Sequence, residues 1–588
     1  TNIYLYIVMR LYKIFLFTLI VCLMGCKPSD QDWSSYGKDL TNQRYAVIDE
    51  INDKNVGSLK LAWQHQTGIK ATFQSTPIVH QGVMYVSLPF NHVIAMNAET
   101  GKVVWRYEHN RNRDWKMCCG PSNRGLAIHN GQLFMGTVDA RLISLDSKTG
   151  EKLWDINVVK NGVQTETVTA LNNEDSKQKR KVSGGTGVGI SMAPVVYENK
   201  VIIGITGVGY GLHLDDAGKD APLASVVGVA GRFGRPGFLA AYDIYSGKKI
   251  WQFDTIPEEG WEGDFSNYTK DGEVLNRDLQ YERDHLEKYP DAAKYGGGSA
   301  WTTPAIDKDT NTLFFGTGNP SPQMSGDSRP GDNLYTVSLV ALDANTGKLK
   351  WFYQQVPHDI WGYDVASPPV IFHTLHEGKV IPAVGQAGKT GWFYIHNRDT
   401  GELLLKSEPF VPQKNMFAEA TEEGTIIYPG ILGGSNWSPV SMNIDLHLAY
   451  ISGIHAPIKY ALNEKNISNN IIKYTSSEPT QDDQWGVLSA LNLSTGKIIW
   501  QQKTDQPMLG GTLATKGNLV FFGEGNGRFN ASDAKTGEIL WTTSIDAGVN
   551  APPISYVIDG KQYIAVVSGG NKIMGFKKGD YISVFSLD

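Results

Sequence analysis

A glycine followed four residues later by a tryptophan is the feature that most restricts what this chain can fold into. The pair closes six copies of one pattern, at Gly101/Trp105, Gly150/Trp154, Gly247/Trp251, Gly347/Trp351, Gly496/Trp500 and Gly537/Trp541, and a degraded copy keeps Asn397 and Gly401 but lacks the tryptophan. The glycine supplies the left-handed backbone of a tight turn. The Asp or Asn at its start can bond the turn backbone, and the tryptophan can pack onto a neighbouring unit. Glycine separations of about one or two times 50 residues imply blade-sized repeats, some carrying insertions.

A second pattern alternates with the first. Residues 296–319 read as two strands, 301–307 and 312–317, around a polar turn at 308–311. A hairpin returns the chain to where it began, so Trp301 and Asn319 belong at one end of the unit. Residues 191–207, 435–453, 510–525 and 551–570 repeat the strand, turn, strand, glycine order. Four-strand units of this size favour an all-β closed propeller, which leaves only short protected edges.

The rest of the composition narrows the partners. A net charge of −6, with no basic run beyond residues 177–181, argues against nucleic acid. Arg10 and Lys13 precede an apolar run at 14–24 ending in Leu23-Met24-Gly25-Cys26, which resembles a bacterial lipoprotein signal, with Met9 as the start. On that reading residues 1–26 are a signal cleaved before a lipidated Cys26, 27–31 a linker, and 32–588 a single exported domain, periplasmic and membrane-associated only through the lipid. Insertions fall near 160–183, 210–237 and 262–295. Cys22 leaves with the signal, so the mature fold keeps Cys118 and Cys119, and no Cys-x-x-Cys-His haem motif occurs.

The tryptophan repeat, GGGSAW, FFGTGNPSP, RPGDN, PHDIWGYD, GGSNWSP and DGKQYIAVVSGG, in that order, together resemble the quinoprotein alcohol and sugar dehydrogenases that use pyrroloquinoline quinone (PQQ). The resemblance runs from Asp32 to the C-terminus. It implies an eight-bladed β-propeller with the cofactor in an axial funnel. It also implies a vicinal disulfide of Cys118 and Cys119 over one face of PQQ and Trp301 over the other. Arg124, Ser191, Thr206, Gly207, Ser299, Lys389 and Asn436 match positions that bind the cofactor. Arg124 and Lys389 bring the cations a tricarboxylate needs, and Lys389 would stabilise the reduced form.

Two carboxylates of the family site are missing. Gly209 stands where a glutamate usually ligates Ca²⁺, although Asn319, the second ligand, is kept. Gly362 stands where the catalytic aspartate follows the Trp of His358-Asp359-Ile360-Trp361, and Leu509 stands where many relatives have Trp. Asp364 is the substitute: in an extended segment it lies on the same face as position 362, and its place matches a ligand of lanthanide-using relatives. It is therefore expected as base, metal ligand or both, with Asp359 the lesser choice and Asp215 or Asp216 of the 210–237 insertion an alternative ligand.

Two functions compete at this point. One is a PQQ-dependent oxidoreductase acting on an alcohol or sugar hydroxyl, with Ca²⁺ or a lanthanide, passing electrons to a separate cytochrome c or quinone. The other is a non-catalytic propeller lipoprotein used as a binding or assembly scaffold, which the two glycines favour and the retained cofactor-binding set disfavours.

Overall fold

A computed structural model describes residues 31–588 except 112–120, 122, 160–164, 167–181, 184–188, 206–235, 260, 262, 289–292, 294–295, 322, 325, 328 and 468–469. The signal and lipidation segment lies outside the described residues, as do Cys118, Cys119, Thr206, Gly207, Gly209, Asp215 and Asp216. Seven four-stranded sheets and one five-stranded sheet succeed one another along the chain. They are the eight blades expected of a propeller. The first consists of Ile78–His80, Val83–Ser87, Val93–Asn97 and Val103–Tyr107, paired in that order. Its first strands are almost wholly buried, whereas in the fourth the side chains are exposed or half-exposed.

Closure of the ring uses both ends of the chain. The fourth strand of the last blade is Lys60–Gln66, which pairs antiparallel with Tyr581–Ser586, placing Gln64 opposite Ser583. No blade edge is then left between first and last repeats.

The turn motif works as its residues suggest. In every copy the leading Asp or Asn accepts the backbone N–H three residues on, as Asn97 does from Thr100 (2.8 Å) and Asp243 from Ser246 (2.8 Å). Five of the six tryptophans then reach the turn of the next blade, and Trp541 donates to the Leu59 carbonyl just before Lys60–Gln66 (3.1 Å). Trp105 Nε1 donates to the Ser147 carbonyl, Trp154 to Ile244, Trp251 to Ala344, Trp351 to Arg398 and Trp500 to Ala534, at 2.9–3.2 Å. The indole lies flat against the next turn's glycine, and a methyl group there would stand 2.5 Å from the Trp105 ring at Gly150. The degraded copy keeps the contact in smaller form: Leu405 packs on Gly496.

Residues 33–46 form a strap that crosses most of the ring. Trp33 bridges to Val79 of the first blade, Leu40 accepts from Ile306 N in the fourth, Thr41 from Ile371 N in the fifth, and Gln43 from Met442 N in the sixth. Tyr45–Ala46 adds a parallel fifth strand beside Thr512–Thr515 of the seventh blade. Arg44, fully buried, donates to the carbonyls of Tyr36, Thr512 (3.0 Å) and Pro553 (2.6 Å), joining the seventh blade to the eighth.

Additions among the described residues lie outside the blades, including a two-stranded sheet of Thr165–Glu166 and Val182–Ser183. A helix, Leu279–Asp284, begins at Asp278, whose carboxylate accepts Tyr281 N–H (3.0 Å). A three-stranded sheet of Thr425–Ile427, Ile458–Ile467 and Asn470–Pro479 stands beside the sixth blade's second and third strands. Within residues 301–307 the strand covers only Ala305–Asp307. Residues 301–304 have strand composition, but Pro304 has no N–H to give a ladder, and the Thr303 and Pro304 carbonyls accept from Asn42 of the strap instead.

Candidate functional site

Arg124, Ser191, Trp301, Asp364 and Asn436 each lie in the segment leading into the first strand of a blade, and Asn319 and Lys389 just follow the second strands Thr312–Gly316 and Lys379–Ala387. The hairpin logic places all of them at one end, and backbone bonds verify it at the fourth blade: Gly318 N–H donates to Ser299 and Gly298 N–H to Asn319, both 2.8 Å. Neighbouring lead-ins are stitched together, with Thr76 N–H donating to Arg124 and Arg124 N–H to Ser191, both 2.9 Å. Close approach requires glycine at the end of the second strand. A methyl at Gly316 would stand 2.0 Å from Val365 O, and one at Gly204 2.4 Å from Ala300 O.

At one side of the site Arg124 is the centre. Its guanidinium donates to Ser191 Oγ (2.7 Å) and to the Trp301 carbonyl (3.4 Å). It lies 5.0 Å from the Trp301 ring and 5.2 Å from that of Trp437. Burial lowers it to about 10, so it is a cation at neutral pH, and its Nε is buried without a hydrogen-bond partner. Trp301 is half-exposed and packs at the edge of an apolar cluster of Trp437, Ile454, Leu509 and Phe576.

On the other side Asp364 joins two elements. One oxygen accepts the Asn319 backbone N–H (2.6 Å) and the other faces Lys389 Nζ at 3.2 Å. Lys389 also donates to the Gly362 carbonyl (2.8 Å). Asp359, fully buried, accepts the N–H groups of Trp361, Gly362 and Tyr363 and the side-chain amide of Asn319. Burial raises its pKa.

That capping corrects one expectation. Residues 359–364 are not extended, because Asp359 gathers three successive N–H groups into a tight loop, and Gly362 takes φ +92°. Asp364 therefore meets Lys389 and Asn319 through a turn and not through strand alternation. Gly362 has no room for a side chain either: a Cβ would lie 2.8 Å from Ile431 Cγ1 and 3.0 Å from Gln323 Nε2.

The two sides connect. Gly434 N–H donates to Lys389 O (2.6 Å), Asn436 Nδ2 donates to Leu432 O (2.8 Å), and the next residue, Trp437, lies against Arg124. Arg124 therefore links Ser191, Trp301 and Trp437, Asp364 links Asn319 and Lys389, and backbone bonds of Ser299 with Gly318 and of Lys389 with Gly434 tie the adjoining segments together.

These groups suit a flat polyanionic cofactor. An exposed indole face, an arginine with an unused buried N–H and a buried lysine are what a planar quinone tricarboxylate would engage. Asn319 between Asp359 and Asp364 offers oxygen donors of the kind a hard cation takes, although among the described residues no group of three or more His, Cys, Asp or Glu side chains is placed to hold a metal ion. Trp437, Gln323 and Ile431 are site residues that sequence reasoning did not single out. Trp437 lay within the quoted GGSNWSP, whereas Gln323 and Ile431 carry no local signal.

Comparisons with known proteins place the chain in one family. The PQQ family described as glucose/ethanol/alcohol dehydrogenase, beta-propeller domain, matches residues 33–419 and 466–564. The chain is 32% identical over 574 residues to the quinohemoprotein alcohol dehydrogenase of Comamonas testosteroni, covering 92% of this chain and 73% of that protein. It is 31% identical to the quinoprotein alcohol dehydrogenase PedH of Pseudomonas putida, covering 91% and 85%. Among solved structures, a europium-containing methanol dehydrogenase superposes with a TM-score of 0.75 at 25% identity, covering 95% of this chain and 98% of that one. A propeller with these relatives, matched over most of its length, is a member of the PQQ-dependent alcohol dehydrogenase family.

Proposed function

We propose that the protein is an exported PQQ-dependent dehydrogenase that oxidises an alcohol or sugar hydroxyl. The observation that carries this reading is that five blades bring to one end of the fold an arginine bonded to Ser191 and lying by the Trp301 ring, and a carboxylate, Asp364, bonded to Asn319 and Lys389.

Trp301 would offer its ring to the flat cofactor, and Arg124, Ser191, Ser299, Lys389 and Asn436 would bind its carboxylates and carbonyls. By resemblance to the family, Thr206, Gly207, Cys118 and Cys119, which lie outside the described residues, would complete the set. PQQ, when bound, supplies the two-electron acceptor for the hydride that leaves the alcohol carbon. Asp364 takes the hydroxyl proton, and Lys389, already bonded to it, offsets negative charge that develops nearby. Asn319 and Asp364 would provide oxygens for Ca²⁺ or a lanthanide, a reading supported by the europium-containing relative.

Electrons then pass to a separate cytochrome c or quinone, with the quinohemoprotein relatives supporting a haem acceptor, and Cys26 provides a lipid anchor on the periplasmic side of a bacterial membrane. The test is reconstitution with PQQ and Ca²⁺ or a lanthanide, followed by dye reduction with a panel of alcohols and sugars. Turnover of at least one substrate supports the reading. No turnover with any, under conditions that activate a relative, would return the scaffold reading.

A further inference from the structure

The space beside Gly362 is filled in a way that bears on the metal. Gln323 Nε2 stands 3.0 Å from where a Cβ at 362 would be, beside Ile431. From that position it donates to Asn319 Oδ1 at 3.1 Å. The other end of the Asn319 amide is fixed by Asp359, and its backbone N–H by Asp364. Asn319 thus presents an oriented side-chain oxygen between two carboxylate residues, and a neutral N–H donor already occupies it. A cation and an N–H donor compete for the same lone pairs, since each needs the oxygen's negative end.

We propose that Gln323 is a cation gate: its amide holds the Asn319 oxygen and has to withdraw before a hard divalent or trivalent cation can use that oxygen. The inference rests on the metal-assisted reading above and adds a residue that sets how readily the metal loads. A site so built binds its cation weakly when empty of cofactor, because Gln323 must first be displaced and Lys389 already pairs with Asp364. Gln323→Ala removes the competitor. Gln323→Glu replaces it with a carboxylate aimed at the same place, which a hard cation favours.

The experiment is titration of the full chain with Tb³⁺, read by luminescence, and with Ca²⁺, read by competition, on cofactor-free and on PQQ-saturated protein, with circular dichroism confirming the fold of each variant. Gln323→Ala is expected to tighten cation binding about fivefold, the equivalent of one neutral hydrogen bond no longer broken. In an Asn319→Ala background that gain should vanish, because the oxygen in dispute is gone. Gln323→Glu should tighten binding tenfold or more. Affinities of both variants within twofold of wild type would overturn the proposal, as would a gain that persists without Asn319. The cofactor-free titration decides the matter even if PQQ fails to bind, so failure of this inference and failure of the functional reading are separate results.

Discussion

Lys389 Nζ lies 3.2 Å from the Asp364 carboxylate and 2.8 Å from the Gly362 carbonyl, with both charged side chains only 6% exposed. The lysine therefore ties the expected base to the backbone of the very position that has lost its side chain. Asp364→Asn keeps the shape and an acceptor for Lys389 but removes the charge. It should abolish PQQ-dependent oxidation while far-ultraviolet circular dichroism stays that of a folded propeller. Wild-type turnover in this variant would remove Asp364 from the chemistry.

Asp359→Asn should act differently. The residue is fully buried and caps three N–H groups, so an amide NH₂ turned toward those donors would break the loop that sets Asp364. The expected result is a stability loss of roughly 1–3 kcal/mol, read by denaturant titration, with activity falling as the loop loosens. An unchanged unfolding midpoint would contradict the capping role.

Arg44 gives a prediction far from the chemistry. Its guanidinium is held by carbonyls from the strap and from the seventh and eighth blades, and its position over Trp33 and Tyr36 adds ring contacts. Arg44→Ala leaves three buried carbonyls without that donor, and a loss of about 3 kcal/mol or more is expected. A variant as stable as wild type to urea would show the strap to be dispensable.

The pH dependence follows from His396. Its Nδ1 donates to Gly401 O (3.1 Å), aromatic rings of Trp351, Tyr353 and Tyr394 surround it, and burial lowers its pKa to about 4. The unfolded chain takes up this proton near its ordinary value of about 6.5. The contribution of His396 to stability is therefore full above about 6.5 and is lost as pH falls toward about 4. In His396→Gln the slope of stability between those limits should be smaller, and an identical slope would contradict the assignment.

Much of the fold was legible because each part of the repeat acts locally. Asn97 bonds its own turn, Gly101 bends it, and Trp105 needs only the next copy to dock on. Even the gap was informative, since Leu405 makes the smaller version of the same contact. The cofactor side of the site was legible through the hairpins, whose ends carry Trp301 and Asn319 together. The strap was not, because Asn42 and Arg44 find partners hundreds of positions away and leave no period. The geometry at Gly362 was misjudged for a related reason: the turn is made by Asp359, and the space by Ile431 and Gln323 from separate loops.

The central claim is that the groups around Arg124, Trp301 and Lys389 form a PQQ site. Titration of cofactor-free protein with PQQ in the presence of Ca²⁺ or a lanthanide, followed by tryptophan fluorescence, tests it most directly. Saturation at one PQQ per chain, with quenching, and with affinity lowered at least tenfold in Arg124→Ala and in Trp301→Ala, is the predicted result. Absence of saturable binding, or equal binding by both variants, would contradict it.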